Sequence, residues 1–417
     1  MQKTVEPSSI RGSIKAPASK SVVQRTFAAS LLCCSETSVS GYTESEDALA
    51  ALSIIKTLGA TVRSGENLTI TGNPPVHKNE KLTLNCGESG LSSRLFAPLS
   101  MLYSTDVCLN GTGSLLKRPF GNLMRQTFEQ MGVEYHDNAG KLPVNLRGRL
   151  SVKKLSIDGS GGSQFISGIL MTLPLLDVDS VVEVQNLKSK PYIDLTLNVL
   201  SQFGINVISE NHEVFRVKAG QRYRSTKFNI EGDWSGASCL LVAGAVAGEI
   251  TVDNLDYNST QADKKIVDVL RMSGADVEMG STYVKVFKNR LKSFDFDATD
   301  SPDLFPALVA LAVNCEGISR IKGVNRLASK ESDRAATLKS EFCKIGANVS
   351  TENDCMIVEG CKPKGALINP HNDHRIAMSL AVAALNAESH LVIENPECVN
   401  KSYPDFWKDM DKISNRN

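Results

Sequence analysis

Leu58-Gly59-Ala60-Thr61-Val62, Met131-Gly132-Val133-Glu134-Tyr135, Phe203-Gly204-Ile205-Asn206-Val207, Ser273-Gly274-Ala275-Asp276-Val277 and Ile345-Gly346-Ala347-Asn348-Val349 are five versions of one phrase. Their glycines stand 73, 72, 70 and 72 residues apart. Each phrase follows an amphipathic helical pattern and opens an alternating, strand-like stretch. That is the pattern of a helix ending on a C′ glycine and turning into a strand. A repeat of this period decides the architecture before any single motif is read. The expected fold is α/β, built from about six copies of one αβ unit in 417 residues, grouped as two sets of three.

The sixth copy is incomplete. A helix-like run, Asp405 to Ile413, is present, but the strand that should follow it is missing near Asn417. The segment Lys3 to Ile14 has the pattern of a strand pair without a partner. It is expected to close the last unit, which puts both termini in one domain. The expected domains are residues 15–227 and residues 1–14 plus 228–417. The crossings fall near 13–17, at Lys15-Ala16-Pro17, and near 225–233, where Phe228-Asn229-Ile230 leads into Glu231-Gly232-Asp233-Trp234-Ser235. Two connections at one place predict a hinge.

Bulk properties narrow the function. Lysine plus arginine equals aspartate plus glutamate at 46 each, so a role driven by bulk charge on nucleic acid or a membrane surface is excluded. There is no run of about 18 apolar residues and no signal-peptide core at the start. The ten cysteines are scattered, without a C-x-x-C, which favours free and mostly buried thiols in a reducing, cytoplasmic setting. Cys33, Cys239, Cys315 and Cys343 lie in helix-like apolar runs.

The unusual residues sit at helix starts. Ser19 is placed to cap a helix carrying Lys20 and Ser21 in its first turn and Arg25 one turn on. Ser89-Gly90 opens a helix from Leu91. Gly159-Ser160-Gly161-Gly162-Ser163-Gln164 opens another from Phe165, and Pro191 begins one at Tyr192. Asp300-Ser301-Pro302-Asp303, Ser332-Asp333, Asn372-Asp373-His374-Arg375 and Lys401-Ser402-Tyr403-Pro404 open the rest. A helix N-terminus presents free N–H groups and partial positive charge, so it attracts anions. Lys20, Arg25, Arg118, Lys330, Arg334, Arg375 and Lys401 add direct charge. Local cations in a neutral chain point to small polyanionic substrates.

Each piece alone has a plainer reading. A lysine at a helix start is usually solvated. The glycine-rich turn at 159–162 does not fit the nucleotide P-loop pattern and no lysine follows it. His371 and His374 have no third ligand at metal spacing. Asp303 and Glu331 serve equally well as caps or salt-bridge partners. The stripes Met171 to Leu176 and Ala377 to Leu385 are core.

In combination the segments resemble the 5-enolpyruvylshikimate-3-phosphate synthase family, through essentially the whole chain and in order. The resemblance is carried by Ser163-Gln164-Phe165, by Ser189-Lys190-Pro191-Tyr192-Ile193-Asp194, by Lys330-Glu331-Ser332-Asp333-Arg334 and by Asn372-Asp373-His374-Arg375-Ile376-Ala377-Met378. Pro17-Ala18-Ser19-Lys20-Ser21 with Arg25 is a looser match. The resemblance implies two domains of three βαβαββ units each, with helix starts facing an interdomain cleft. It implies transfer of the enolpyruvyl group of phosphoenolpyruvate to the 5-hydroxyl of shikimate 3-phosphate, with release of phosphate. Neither a metal nor an organic cofactor takes part, and the family suggests a monomer.

It also implies residue roles. Ser163, Ser189 and the neighbourhood of Lys190 would hold the shikimate phosphate, with Ser21 and Arg25 on the ring carboxylate. Tyr192 and Lys330 would line that site. Gln164 would lie between the substrates. Lys20, Arg118, Arg334, Arg375 and Lys401 would clamp phosphoenolpyruvate beside Gly90. Asp303 would act as base toward the attacking hydroxyl, with Lys20 sharing the task. Glu331 would protonate C3 and later take the proton back, supported by His374. Bound anions would favour closure of the two domains.

This chain departs from the family at several places. Glu88-Ser89-Gly90-Leu91 replaces the usual Asn-Ala-Gly-Thr, so a negative charge is expected near an anion clamp. Gly162 replaces a serine, and Arg326 stands where an asparagine often contacts shikimate 3-phosphate. Val22-Val23-Gln24 replaces a more polar run. Gly90 leaves room for a phosphoenolpyruvate analogue such as glyphosate. The sister transferase acting on UDP-N-acetylglucosamine carries a loop cysteine that Asn110 to Pro119 lacks. An RNA terminal-phosphate cyclase and a catalytically inactive repeat scaffold are the remaining alternatives.

Overall fold

The computed structural model describes residues 1–76 and 80–415. It divides into two compact units, one of Lys20–Ile230 and one of Met1–Ser19 with Glu231–Asn417. The boundary therefore falls a few residues later than the sequence suggests. Phe228-Asn229-Ile230, expected in the second domain, belongs to the first. The reason is a pairing: strand Lys227–Asn229 runs parallel to strand Glu36–Ser40, with Lys227 opposite Ser38.

The repeat is visible in the sheets. In the third copy, Lys154–Asp158 runs parallel to Ser180–Gln185, which pairs antiparallel with Val214–Val217, and that strand pairs with Val207–Glu210. Side chains along Lys154–Asp158 alternate between exposed and buried, as a sheet with one covered face requires. The second copy has the same order: Leu82–Asn85 is parallel to Asp106–Asn110, which pairs antiparallel with Lys141–Gly148. The five phrase glycines all have positive φ, at 101°, 76°, 77°, 88° and 87° in chain order. At Gly204 the Ile205 N–H reaches back to the Leu200 carbonyl at 2.9 Å, which closes the helix Lys190–Gln202 in a Schellman turn.

The N-terminal segment is used twice. Gln2–Val5 lies antiparallel to Leu391–Glu394, in the position that a later strand holds in the other copies. Ser9–Lys15 runs parallel to Gly248–Asp253 and so supplies the first strand of the fourth copy. The strand expected to be missing after Ile413 is present as Ser414–Asn415, and it pairs with Ser9–Ile10 rather than with the last copy.

Each unit has three packed central helices. In one they are Lys20–Leu31, Gly90–Ser100 and Ser163–Thr172. A Cβ at Gly168 would stand 2.5 Å from the Leu95 carbonyl oxygen, so glycine permits the close approach of two of them. In the other unit Trp234–Ala247, Phe305–Val313 and His374–Ala384 are buried along their whole length. A helix buried on all sides is apolar around most of its circumference rather than along one stripe. Five of the ten cysteines are buried and all ten are free. Cys343, placed by its apolar surroundings in the core, is exposed, as is Cys34.

Candidate functional site

In the unit Lys20–Ile230, the expected phosphate-holding residues stand at two helix starts whose own N-cap residues make no side-chain capping bond. Gly162 precedes Ser163 with φ 106° and has no side chain to offer. Ser189 precedes Lys190 in the left-handed region, at φ 59°, and makes no capping bond. Neither N-cap side chain takes a first-turn N–H of its helix, and first-turn N–H groups are what an anion site uses. Ser163 and Ser189 are buried, and Gln164 and Tyr192 are half-buried. By contrast, Ser89 caps the helix at Gly90 by accepting from Ser92 N.

Arg25 is engaged by the protein itself. Its Nε donates to Thr196 Oγ1 at 2.7 Å, Nη1 to the Ser21 carbonyl at 2.9 Å, and Nη2 to Ser167 Oγ and the Tyr192 carbonyl at 3.2 and 3.4 Å. Burial pushes the guanidinium down to about 10, and Tyr192 opposes that shift. Arg25 is a brace between three helices, and the polypeptide occupies most of its donors. Ser21 takes part in this brace through its carbonyl.

Lys20 pairs with Asp47 at 3.0 Å, both largely buried. Asp47 comes from the helix Glu46–Thr57 and went unnoticed in the sequence, where it looks like an ordinary first-turn acid. Arg118 is buried, and its guanidinium lies so close to Gly90 that a Cβ there would overlap Nη1. Ser19, expected to cap the first helix, leaves its hydroxyl buried and without a hydrogen-bond partner. Its N–H is held instead by the Glu231 carbonyl at 2.8 Å, which fixes the chain where the two segments cross.

The unit Met1–Ser19 with Glu231–Asn417 gathers the rest. Asp303, in the turn Pro302–Leu304, accepts from Lys330 Nζ at 3.1 Å and Arg334 Nη1 at 2.9 Å, and lies 3.5 Å from Arg375 Nη2. Arg334 also reaches Glu331 at 2.6 Å and, through Nε, Asp373 at 3.0 Å. Arg334 and Asp373 are fully buried. Lys401 donates to the Asn372 carbonyl at 2.8 Å from the turn Pro396–Lys401. His374 is buried at the first position of the helix His374–Ala384, which Asp373 caps. Arg326 is half-buried in the turn Val324–Arg326.

The electrostatics follow from this crowding. Burial would raise the Asp303 carboxyl, but Lys330, Arg375 and Arg334 overcome it and hold it well below the usual carboxylate range, with Glu331 opposing them. Burial lowers Lys330, and Asp303 partly restores it. Arg334 and Arg375 are burdened by burial but raised on balance, by Asp373, Glu331 and Asp303 for the first and by Asp303 and Asp233 for the second. Burial also lowers Arg326, with Asp300 and Asp303 acting against it. Carboxylates therefore neutralise these cations within the unit. Asp373 was legible only as a helix cap; nothing in its spacing announced a bond to Arg334, 39 positions away.

Two three-copy units of this topology define an enolpyruvyl transferase fold. The chain resembles the enolpyruvyl transferase NikO from Streptomyces tendae in fold, with a TM-score of 0.77 over 99% of this chain and 97% of that one at 16% identity. It also resembles the EPSP synthase of Acinetobacter baumannii, with a TM-score of 0.80 at 25% identity over 99% and 98% of the two chains. The family model for EPSP synthase (3-phosphoshikimate 1-carboxyvinyltransferase) matches residues 5–410. Relatives named 3-phosphoshikimate 1-carboxyvinyltransferase include those of Clostridium novyi (strain NT), 34% identical over 98% of this chain and 96% of that one, and Clostridium kluyveri, 36% identical over 98% and 96%. The chain belongs to the EPSP synthase family.

Proposed function

We propose that this chain transfers the enolpyruvyl group of phosphoenolpyruvate to the 5-hydroxyl of shikimate 3-phosphate and releases inorganic phosphate. The observation that carries the reading is the cluster of Asp303, Lys330, Glu331, Arg334 and Arg375, a set of buried cations balanced by two carboxylates of different surroundings. For phosphoenolpyruvate the ligands are Arg334, Arg375 and Lys401 in the unit that holds both termini, and Lys20 and Arg118, with Gly90 and Gln164, in the other. Arginine forks match its carboxylate and phosphate oxygens. For shikimate 3-phosphate they are the helix starts at Ser163 and Ser189 with Ser21 and Tyr192 in one unit, and Arg326 and Lys330 in the other. Arg25 supports that site by bracing Tyr192 and Thr196.

The reaction needs one base and one group that both gives and takes a proton. Asp303 removes the proton of the 5-hydroxyl as the oxygen attacks C2. Glu331 protonates C3, which gives a tetrahedral intermediate. Glu331 then recovers that proton while the bond to phosphate breaks. Asp303 is a weak base while three cations hold it ionised. Substrate anions engage those same cations, so binding raises its proton affinity where the proton must be taken. Lys20, Arg118 and Lys401 stabilise the departing phosphate, and His374 supports Glu331. The enzyme acts as a cytoplasmic monomer.

The test is phosphate release from the purified chain. It is expected only when both substrates are present, and Lys20→Met and Glu331→Ala should abolish most of it. Release with phosphoenolpyruvate and UDP-N-acetylglucosamine instead would transfer the assignment to the sister enzyme. No release with either acceptor would leave the inactive scaffold.

A further inference from the structure

We propose that Glu88 is a positioning residue for Arg118, a role that rests on Arg118 contacting phosphoenolpyruvate. The family resemblance leads one to expect an uncharged residue at this place, and a negative charge there looks unfavourable beside an anion clamp. The structure gives the carboxylate a different task. Residues 86–88 and 110–114 run side by side: Cys86 N donates to the Asn110 carbonyl and Thr112 N to the Gly87 carbonyl, both at 2.8 Å. Backbone pairing then stops and the Glu88 side chain continues it. Its Oε2 accepts from Ser114 N at 2.9 Å and from Ser114 Oγ at 2.5 Å.

Gly113 is where this contact demands glycine. Its φ is 52°, and a Cβ there would collide with the Glu88 carboxylate. The turn Gly113–Lys117 that follows has no side-chain cap from Thr112, so Glu88 anchors its N-terminal end. Arg118 comes next, with its N–H on the Leu115 carbonyl. On the far side Arg94 donates to the Pro119 carbonyl at 3.0 Å and to the Gly90 carbonyl at 3.1 Å. Arg118 is thus fixed before and behind, with its guanidinium laid against Gly90. A charge-assisted bond to a backbone N–H is stronger than a neutral one, which favours glutamate at position 88 for holding this turn. Preorganised cations bind an anion without first being ordered.

Two effects of Glu88 have opposite signs, and the variants separate them. Glu88→Gln removes the charge and keeps an oxygen for Ser114. Glu88→Ala removes both. If the latch positions Arg118, Glu88→Ala raises KM for phosphoenolpyruvate about tenfold, whereas kcat and KM for shikimate 3-phosphate stay within about twofold. Glu88→Gln should then return KM to within about twofold of the parent. Amide hydrogen exchange over residues 111–118 should accelerate in Glu88→Ala and not in Glu88→Gln.

Equal KM values for the Ala and Gln variants, in either direction, would overturn the proposal, since charge alone would then explain them. So would a joint loss of kcat and both KM values with a lowered melting temperature, which marks general damage. If Glu88→Ala does not fold, Ser114→Ala takes its place. It loses the shorter bond and should raise KM for phosphoenolpyruvate about threefold, and an unchanged value would count against the latch. Should the parent release no phosphate, the assigned reaction fails by itself. The latch is then judged on exchange, where unchanged protection at Ser114 in Glu88→Ala overturns it.

Discussion

Asp303 shows how one side chain is set by its neighbours. Burial favours the neutral acid, yet three cations hold it ionised, so its folded value lies below the unfolded one. The associated stability is present above the unfolded value of about 4 and is lost as pH falls through the lower folded value. Asp303→Asn should therefore differ from the parent in stability at neutral pH, and the difference should shrink in acid; a pH-independent difference would show that Asp303 is not held ionised by these partners. In kinetics, Asp303→Asn should lower kcat by about 10²–10⁴-fold. KM for phosphoenolpyruvate should not rise, because Arg334 and Arg375 lose a competing anion. A raised KM with normal kcat would reassign Asp303 from base to binding group. Gly90 makes a separate case. The three atoms nearest to a Cβ there are at the far ends of the Arg118 and Arg94 side chains, so Gly90→Ala should fold normally and still raise KM for phosphoenolpyruvate about tenfold or more. A melting temperature far below the parent's would place the damage in packing instead.

Among the elements, the helix-to-strand turns were the most legible part of the chain. A C′ residue with positive φ is usually glycine, so the backbone requirement is written in the sequence five times. This can be separated from crowding. At Gly346 a Cβ would meet nothing closer than Lys364 Cδ at 3.7 Å, so only its φ of 87° resists a side chain. Gly346→Ala should cost about 1–2 kcal/mol in denaturant unfolding. At Gly360, whose backbone is not left-handed, a Cβ would collide with the Cys315 carbonyl oxygen, and backbone cannot swing aside. Gly360→Ala should be much worse, to the point of insolubility. Equal costs would refute the division between strain and overlap. Helix starts were legible for the same local reason, since Ser89, Asp333 and Asp373 each cap with their own side chain. Ser19 was misread because a hydroxyl at a helix start looks alike whether its backbone is free or held by Glu231. Lys20–Asp47, Glu88–Ser114 and Arg334–Asp373 were not legible at all. Their partners lie 26 to 39 positions apart, where no periodicity connects them.

On the scale of the whole molecule the two units are built alike but threaded differently. Lys20–Ile230 is continuous, and its own last strand, Lys227–Asn229, completes its first sheet. The other unit is assembled from both ends of the chain. Without residues 1–19, Gly248–Asp253 loses its parallel neighbour and Leu391–Glu394 its antiparallel one. Ile10 and Ile14 also leave the core, at about 1.5–3 kcal/mol each. That sum is a large part of the roughly 5–15 kcal/mol by which a domain is stable. The three-residue strand at 227–229 is too short to declare its side, which is why the boundary was placed before it. Residues 20–230 produced alone should therefore unfold cooperatively in urea, with a slope fitting their size. Residues 231–417 alone should not, and adding residues 1–19 through a linker to their N-terminus should restore the transition. A cooperative transition in 231–417 without that segment would mean that the strands at 2–5 and 9–15 decorate a finished unit rather than complete it.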